Sequence, residues 1–139
     1  MKLTLFSIEE ANRMVEDLRP MVESLVRAKR EFDALLERLE VLTLAAAGAS
    51  PSNPDALELR HTHARRTELA EELTKGIQAV QRRGCLLKDL DKGLLDFYSL
   101  SGDRLIFLCW QVGELEVAHW HTLEGGFSSR LPLNRSELE

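Results

Sequence analysis

Apolar residues recur every three or four positions from Ile8 onward: Ile8, Ala11, Val15, Leu18, Val22, Leu25, Phe32, Leu36, Leu39 and Leu42. This is the period of an α-helix with one apolar side. Ser7-Ile8-Glu9-Glu10 supplies its start. The Ser7 hydroxyl can accept a first-turn N–H, Glu10 can reach back to the Ser7 N–H, and both glutamates suit the positive helix end. Pro20 has no N–H to give and is expected to bend or split the helix. Lys29 falls where the stripe calls for an apolar residue, so no strict coiled coil is expected. A helix from Ser7 to Ala45 would run about 58 Å at 1.5 Å per residue. Its apolar side needs a partner.

The partner is expected in Asp55–Arg83, where Leu59, Arg66, Ala70, Leu73, Ile77 and Val80 share a side and Leu69 lies next to it. Between the two helices, residues 45–54 form the turn, with Gly48, Ser50-Pro51 and Asn53-Pro54 breaking the pattern. Gly84 stops the second helix. From Cys85 the period shortens. Leu86–Lys88, Leu94–Tyr98 and Arg104–Trp110 read as short strands, with Gly93 separating the first two and Ser101-Gly102-Asp103 a tight turn between the others. Lys2–Phe6 is a further strand candidate. Gly113, Gly125-Gly126 and Pro132 mark later turns, and Glu114–Thr122 suits either a strand or a short helix. The expected fold is therefore α+β. A long antiparallel helical hairpin (residues 7–83) packs with a small antiparallel sheet (residues 85–133) in one domain spanning 1–139.

Composition fits this picture. Apolar residues make up 44% of the 139-residue chain, enough for a packed core. The net charge of −5 argues against a broad nucleic-acid footprint. Arg60, Arg65, Arg66, Arg82 and Arg83 form a basic set, but Glu58, Glu68, Glu71 and Glu72 lie among them, as on a solvated helix face. Cys85 and Cys109 sit in apolar runs and read as buried free thiols. The apolar run after Met1 is too short for a signal peptide, and no stretch approaches a membrane span. A reduced, cytoplasmic location is expected, with no membrane partner.

Candidate chemistry concentrates between Asp96 and Arg130. Asp96, Glu114, His119 and His121 are potential metal ligands, and imidazole with carboxylate suits Zn²⁺ or another divalent transition metal. If Val117–Leu123 is extended, His119 and His121 share a face roughly 7 Å apart at Cβ. If it is helical, Glu114 and His121 share a side. Glu116 or Glu124 could accept the ring N–H groups. Asp96, Trp110, Glu114, Trp120 and Arg130 outline a candidate pocket. Trp110 alternates with Ile106 and Leu108 and so belongs to the core, whereas Trp120, between two imidazoles, is the better pocket wall. No His-Glu-x-x-His, paired Cys-x-x-Cys or phosphate-binding glycine loop is present, and no catalytic residue is assigned. His61 and His63 read as ordinary helix-surface residues.

Gly93-Leu94-Leu95-Asp96-Phe97, Leu108-Cys109-Trp110-Gln111-Val112-Gly113-Glu114, His119-Trp120-His121 and Gly126-Phe127-Ser128-Ser129-Arg130-Leu131-Pro132-Leu133 resemble the DUF2203 family of small, uncharacterised prokaryotic proteins. Phe6-Ser7-Ile8-Glu9-Glu10-Ala11-Asn12 and Leu18-Arg19-Pro20 are also similar to it. The family usually has a proline where this chain has Tyr98, and often a tyrosine where it has His119. The resemblance implies no particular enzymatic activity.

The readings that follow are a self-association or protein-interaction module, most simply a homodimer built on the long hairpin; a divalent-metal-binding protein, in its enzymatic form a metal-dependent hydrolase; and, third, a nucleic-acid-binding protein.

Overall fold

The computed structural model describes residues 3–133. Its elements are α1 (Ile8–Ala45), α2 (Pro54–Gln81), β1 (Leu86–Asp89), β2 (Leu94–Ser101), β3 (Arg104–Gln111), β4 (His119–Thr122), a 3₁₀ turn (Phe127–Ser129) and β5 (Leu131–Pro132). The α1 start is a complete capping box: Ser7 Oγ accepts the Glu10 N–H at 3.1 Å, and Glu10 Oε1 accepts the Ser7 N–H at 3.0 Å. The helix runs unbroken through Pro20, which neither splits it nor ends it. Asn53 caps α2 through the Asp55 N–H at 2.8 Å, and Pro54 takes the first helical position, where a missing N–H costs nothing.

The two helices pack against each other, and the near half of the hairpin also covers the sheet. Ile8, Ala11, Val15, Leu18, Val22, Leu25 and Val26 of α1 share one core with Leu73 and Val80 of α2 and with Leu95, Phe97, Ile106, Leu108 and Trp110 of the strands. Toward the tip, burial falls to Leu39, Leu42, Thr62 and Leu69. There the helices are aligned by Arg38 on Glu58 at 2.6 Å and Arg65 on Glu31 at 2.7 Å. Such half-exposed pairs set register more than they stabilise. Lys29, the break in the stripe, ties α1 to the β1–β2 turn by donating to Asp91 at 3.1 Å. No helix is long and apolar enough to cross a membrane among the described residues.

The strands form an antiparallel meander in the order β1-β2-β3-β4-β5. Gly102, at φ 62°, is the first residue of the two-residue β2–β3 loop, a position where positive φ suits the right-handed twist of a hairpin. That loop sets the register: counting outward from it puts Asp96 opposite Cys109 and Leu95 opposite Trp110. Alternation then sends Leu95, Phe97, Leu108 and Trp110 toward the helices and Leu94, Asp96, Phe107 and Cys109 to the other face.

Three expectations need correction. Leu3–Phe6 is not a strand. Phe6 only extends the free edge of β2, donating its N–H to Tyr98 O at 2.8 Å and accepting from Ser99 Oγ at 2.6 Å; Lys2 lies outside the described residues. The 114–122 segment is neither one strand nor one helix, because only His119–Thr122 joins the sheet. Pro132 does not mark a turn but sits in β5 opposite His119, at the sheet edge, where a strand tolerates a residue without an N–H.

Candidate metal centre

The outward face of the sheet is as buried at its centre as the inward one. Asp96, Cys109 and His121 are 3%, 1% and 4% exposed, so charged and polar groups sit where only partnered ones are stable. The geometry follows from the register. Cys109 lies on the central strand β3 directly between Asp96 of β2 and His119 of β4, and His121 is the diagonal neighbour two residues along. The cysteine side chain is small, so the imidazole and the carboxylate reach each other across β3. His121 Nε2 and Asp96 Oδ1 are 3.1 Å apart, and Phe107 packs beside the ring at 5.4 Å between centroids. The ligand-capable atoms of Asp96, Cys109 and His121 all lie within 4.8 Å of one another.

The orientation of the His121 ring is fixed from its other nitrogen. Its Nδ1 lies 2.8 Å from Thr122 O, and a carbonyl only accepts, so Nδ1 carries a hydrogen. A ring held this way presents Nε2 to the cluster, as metal-bound histidines commonly do. One proton is then shared between Nε2 and Asp96. Burial pushes the Cys109 thiol up to about 11, and the neighbouring Asp96 charge adds to the effect. Neither ring nitrogen is free to take the thiol proton, which argues against a thiol nucleophile.

Burial likewise raises Asp96 above the ordinary carboxylate value, against the pull of His121. A folded-state pKa above the unfolded one means that protonated Asp96 stabilises the fold at acid pH. This contribution fades as pH rises through the folded value. The metal-free wild type is therefore expected to lose stability relative to Asp96→Asn as pH rises above about 4, with a slope of up to about 1.4 kcal/mol per pH unit. Urea midpoints of the two proteins across that range check this; parallel profiles would contradict it.

The other predicted site residues are distributed around the cluster. Glu114 and His119 do not join it. Glu114 is held by Arg130 through two bonds of 3.1 and 2.9 Å, and its Oε1 also accepts the Gln111 N–H at 2.7 Å. His119 Nδ1 is 3.5 Å from Glu114 Oε2, and it is a buried atom with no hydrogen bond. Arg130 links the two groups, its Nη1 lying 3.9 Å from Cys109 Sγ. The tryptophans face the other way. Trp110 is wholly buried in the core and donates Nε1–H to Glu114 O at 3.0 Å. Trp120, opposite Leu108, packs against the same core and is not a wall of the cluster. The residue that sequence reasoning left out is Cys109. Its signal was present, since the hairpin loop alone sets it across from Asp96.

Beside the cluster is a small cavity of about 100 Å³ lined by Lys88, Leu94, Asp96, Cys109, His121, Gly125, Gly126 and Phe127. A larger one, about 490 Å³, opens at the start of α1 around Phe6, Ser7 and Leu100, and is lined by no cysteine or histidine. The His/Cys/Asp cluster borders the small cavity and not the large one.

The molecule is thus a helical hairpin on a meander sheet, with a buried three-residue His/Cys/Asp cluster on the face away from the helices. It belongs to the DUF2203 family, described as an uncharacterised conserved protein, whose pattern matches residues 4–133. No curated protein and no solved structure matches the chain.

Proposed function

We propose that the protein binds a divalent transition metal, zinc by preference, through Asp96 Oδ1, Cys109 Sγ and His121 Nε2. The carrying observation is the convergence of these three buried atoms within 4.8 Å. A thiolate with imidazole and carboxylate suits zinc and disfavours magnesium and calcium. Charge bookkeeping supports the same reading. In the metal-free cluster, a neutral thiol accompanies an Asp96–His121 pair of net zero charge. Exchanging about two protons for Zn²⁺, one from the thiol and one from the shared position, leaves the buried charge unchanged. Three protein ligands leave a further position open toward the cavity, the arrangement of catalytic rather than structural zinc sites. A bound ion there would lower the pKa of a coordinated water.

Calorimetric zinc titrations of chelator-treated protein, run in buffers of different ionisation enthalpy, test this. The expected result is one ion per chain with about two protons released near neutral pH. Saturation without proton release would place the ion elsewhere.

Self-association through the hairpin is a second reading, supported by the exposed Leu36, Val41, Leu44 and Leu57 near its tip. Glu37 and Glu40 lie among them, so the surface is not a continuous apolar patch. Light scattering at micromolar concentration decides it, with a monomer counting against. The basic residues that a nucleic-acid reading needs are partly committed. Arg65 pairs with Glu31 and Glu68, Arg66 lies 3.9 Å over the Phe32 ring, and Arg60 donates to Pro51 O.

A further inference from the structure

The cavity beside the cluster has a charge pattern that the three ligands do not account for. Lys88 lines it and makes no ion pair among the described residues. Its Nζ rests 4.9 Å above the Phe107 ring, and it is close enough to Asp96 to favour that carboxylate. Phe127, which forms another wall, is flanked by two more cations, with Lys92 Nζ 5.1 Å and the Arg130 guanidinium 4.4 Å from its ring centroid. Of the nearby carboxylates, two are paired with cations and one keeps its charge. Glu114 is taken by Arg130, Asp91 pairs with Lys29, and Asp89 accepts the Lys92 backbone N–H at 3.0 Å. With a divalent ion neutralised by Asp96 and Cys109, Lys88 is the charged side chain left in the cavity's lining, with Lys92 beside Phe127 at its rim. Low-dielectric walls from Leu94 and Phe127 strengthen the Lys88 field.

We infer that the open coordination position takes an oxyanion, a phosphoryl or carboxylate oxygen bound to the metal and to Lys88 Nζ together. The inference rests on the metal reading above and names the ligand class of the same site. Three arguments point to an oxyanion rather than a neutral ligand. The positive charge of Lys88 favours an anion. Lys88 is an ammonium donor resting on an aromatic face within the cavity's own lining. The cavity is also small: about 100 Å³ holds roughly three waters, the space of one oxyanion group and little beyond it. Gly125 and Gly126 line the remaining side, and no atom lies within 4 Å of where a Gly126 Cβ would stand, so the rest of a larger ligand can leave past Gly126.

Cobalt(II) substitution of the full chain tests the inference, because thiolate-to-cobalt absorption reports Cys109 ligation separately from anion binding. Inorganic phosphate and acetate are then titrated in parallel into the cobalt protein. The expected result is an intact thiolate band with ligand-field bands that shift and saturate with one or both anions. Lys88→Gln is expected to leave the anion-free spectrum unchanged and weaken anion binding by about tenfold, the scale of one charge-assisted hydrogen bond. Lys88→Arg should hold affinity to within about threefold. A response to phosphate alone marks a phosphoryl ligand and one to acetate alone a carboxylate. A normal thiolate band that neither anion perturbs, or equal affinity in Lys88→Gln, overturns the oxyanion site and leaves the metal centre standing. Absence of the thiolate band removes both.

Discussion

Replacing Cys109 with serine is expected to weaken zinc binding at least about a hundredfold while leaving the metal-free fold intact. The substitution is nearly isosteric, and the free protein should stay within about 1 kcal/mol of wild type, because the thiol in the metal-free state is neutral. What is lost is the thiolate. Zinc can draw a proton from a thiol, even one that burial has raised to about 11, because the sulfur–zinc bond and the Asp96 and His121 ligands compensate. An alcohol holds its proton far more tightly and is a harder, weaker ligand. His121→Ala should be equally damaging to binding, since it removes the nitrogen that Thr122 O orients. Competition against a chelating dye measures both, and a loss below about threefold for either would show that the ion sits elsewhere.

The second large effect lies in the core beneath the site. Trp110→Ala is expected to cost about 3–5 kcal/mol, a substantial part of the 5–15 kcal/mol that holds a domain of this size together. Trp110 has no exposed surface and fills the space between α1 and β3. Its indole N–H also holds the Glu114 carbonyl, and Arg19, 5.9 Å from the ring, holds the next one by donating to Leu115 O at 2.6 Å. Truncation therefore opens a cavity and frees the turn that carries Glu114 toward Arg130. Trp110→Phe keeps most of the apolar area and loses only the hydrogen bond and part of the volume, so roughly half the penalty is expected. Urea unfolding with an unchanged m-value checks both. A loss under about 1 kcal/mol for Trp110→Ala would mean that this packing is not what holds the sheet to the helices.

Much of the fold was legible because local chemistry and global packing agree. The Ile8–Leu42 stripe, the Ser7–Glu10 box, the breakers between residues 45 and 54, and Gly102 each act over a few residues, and each appears as expected except at Leu36, which the stripe would bury and the fold leaves exposed. Legibility failed where long-range pairing decides. Pro20 was expected to bend or split α1, and the helix is not split: one lost backbone bond is outweighed by the burial of Leu18 and Val22 on either side of it. The 114–122 segment carries no periodicity strong enough to choose a conformation. Its shape is set by contacts far away in sequence, such as the Asn12 side chain accepting the Val117 N–H at 2.7 Å.

The candidate site was read in part for the same reason. His119 and His121 alternate onto one face, as an extended segment requires, but the partners each one meets depend on the offset of β4 against β3. That offset is set across a loop of 7 residues, Val112–Ala118, with no short-turn rule to constrain it. Trp120, placed between two imidazoles, necessarily points away from both once the segment is a strand. Cys109 was recoverable in principle. A thiol in an apolar run resembles ordinary core, and only the count outward from Gly102-Asp103 reveals that it faces Asp96.

X-ray absorption at the zinc edge of the zinc-loaded protein speaks most directly to whether Asp96, Cys109 and His121 hold a metal. The account predicts one sulfur at about 2.3 Å together with nitrogen and oxygen ligands at about 2.0–2.2 Å. A shell of nitrogen and oxygen alone, or a protein that retains no zinc after gel filtration, would contradict it.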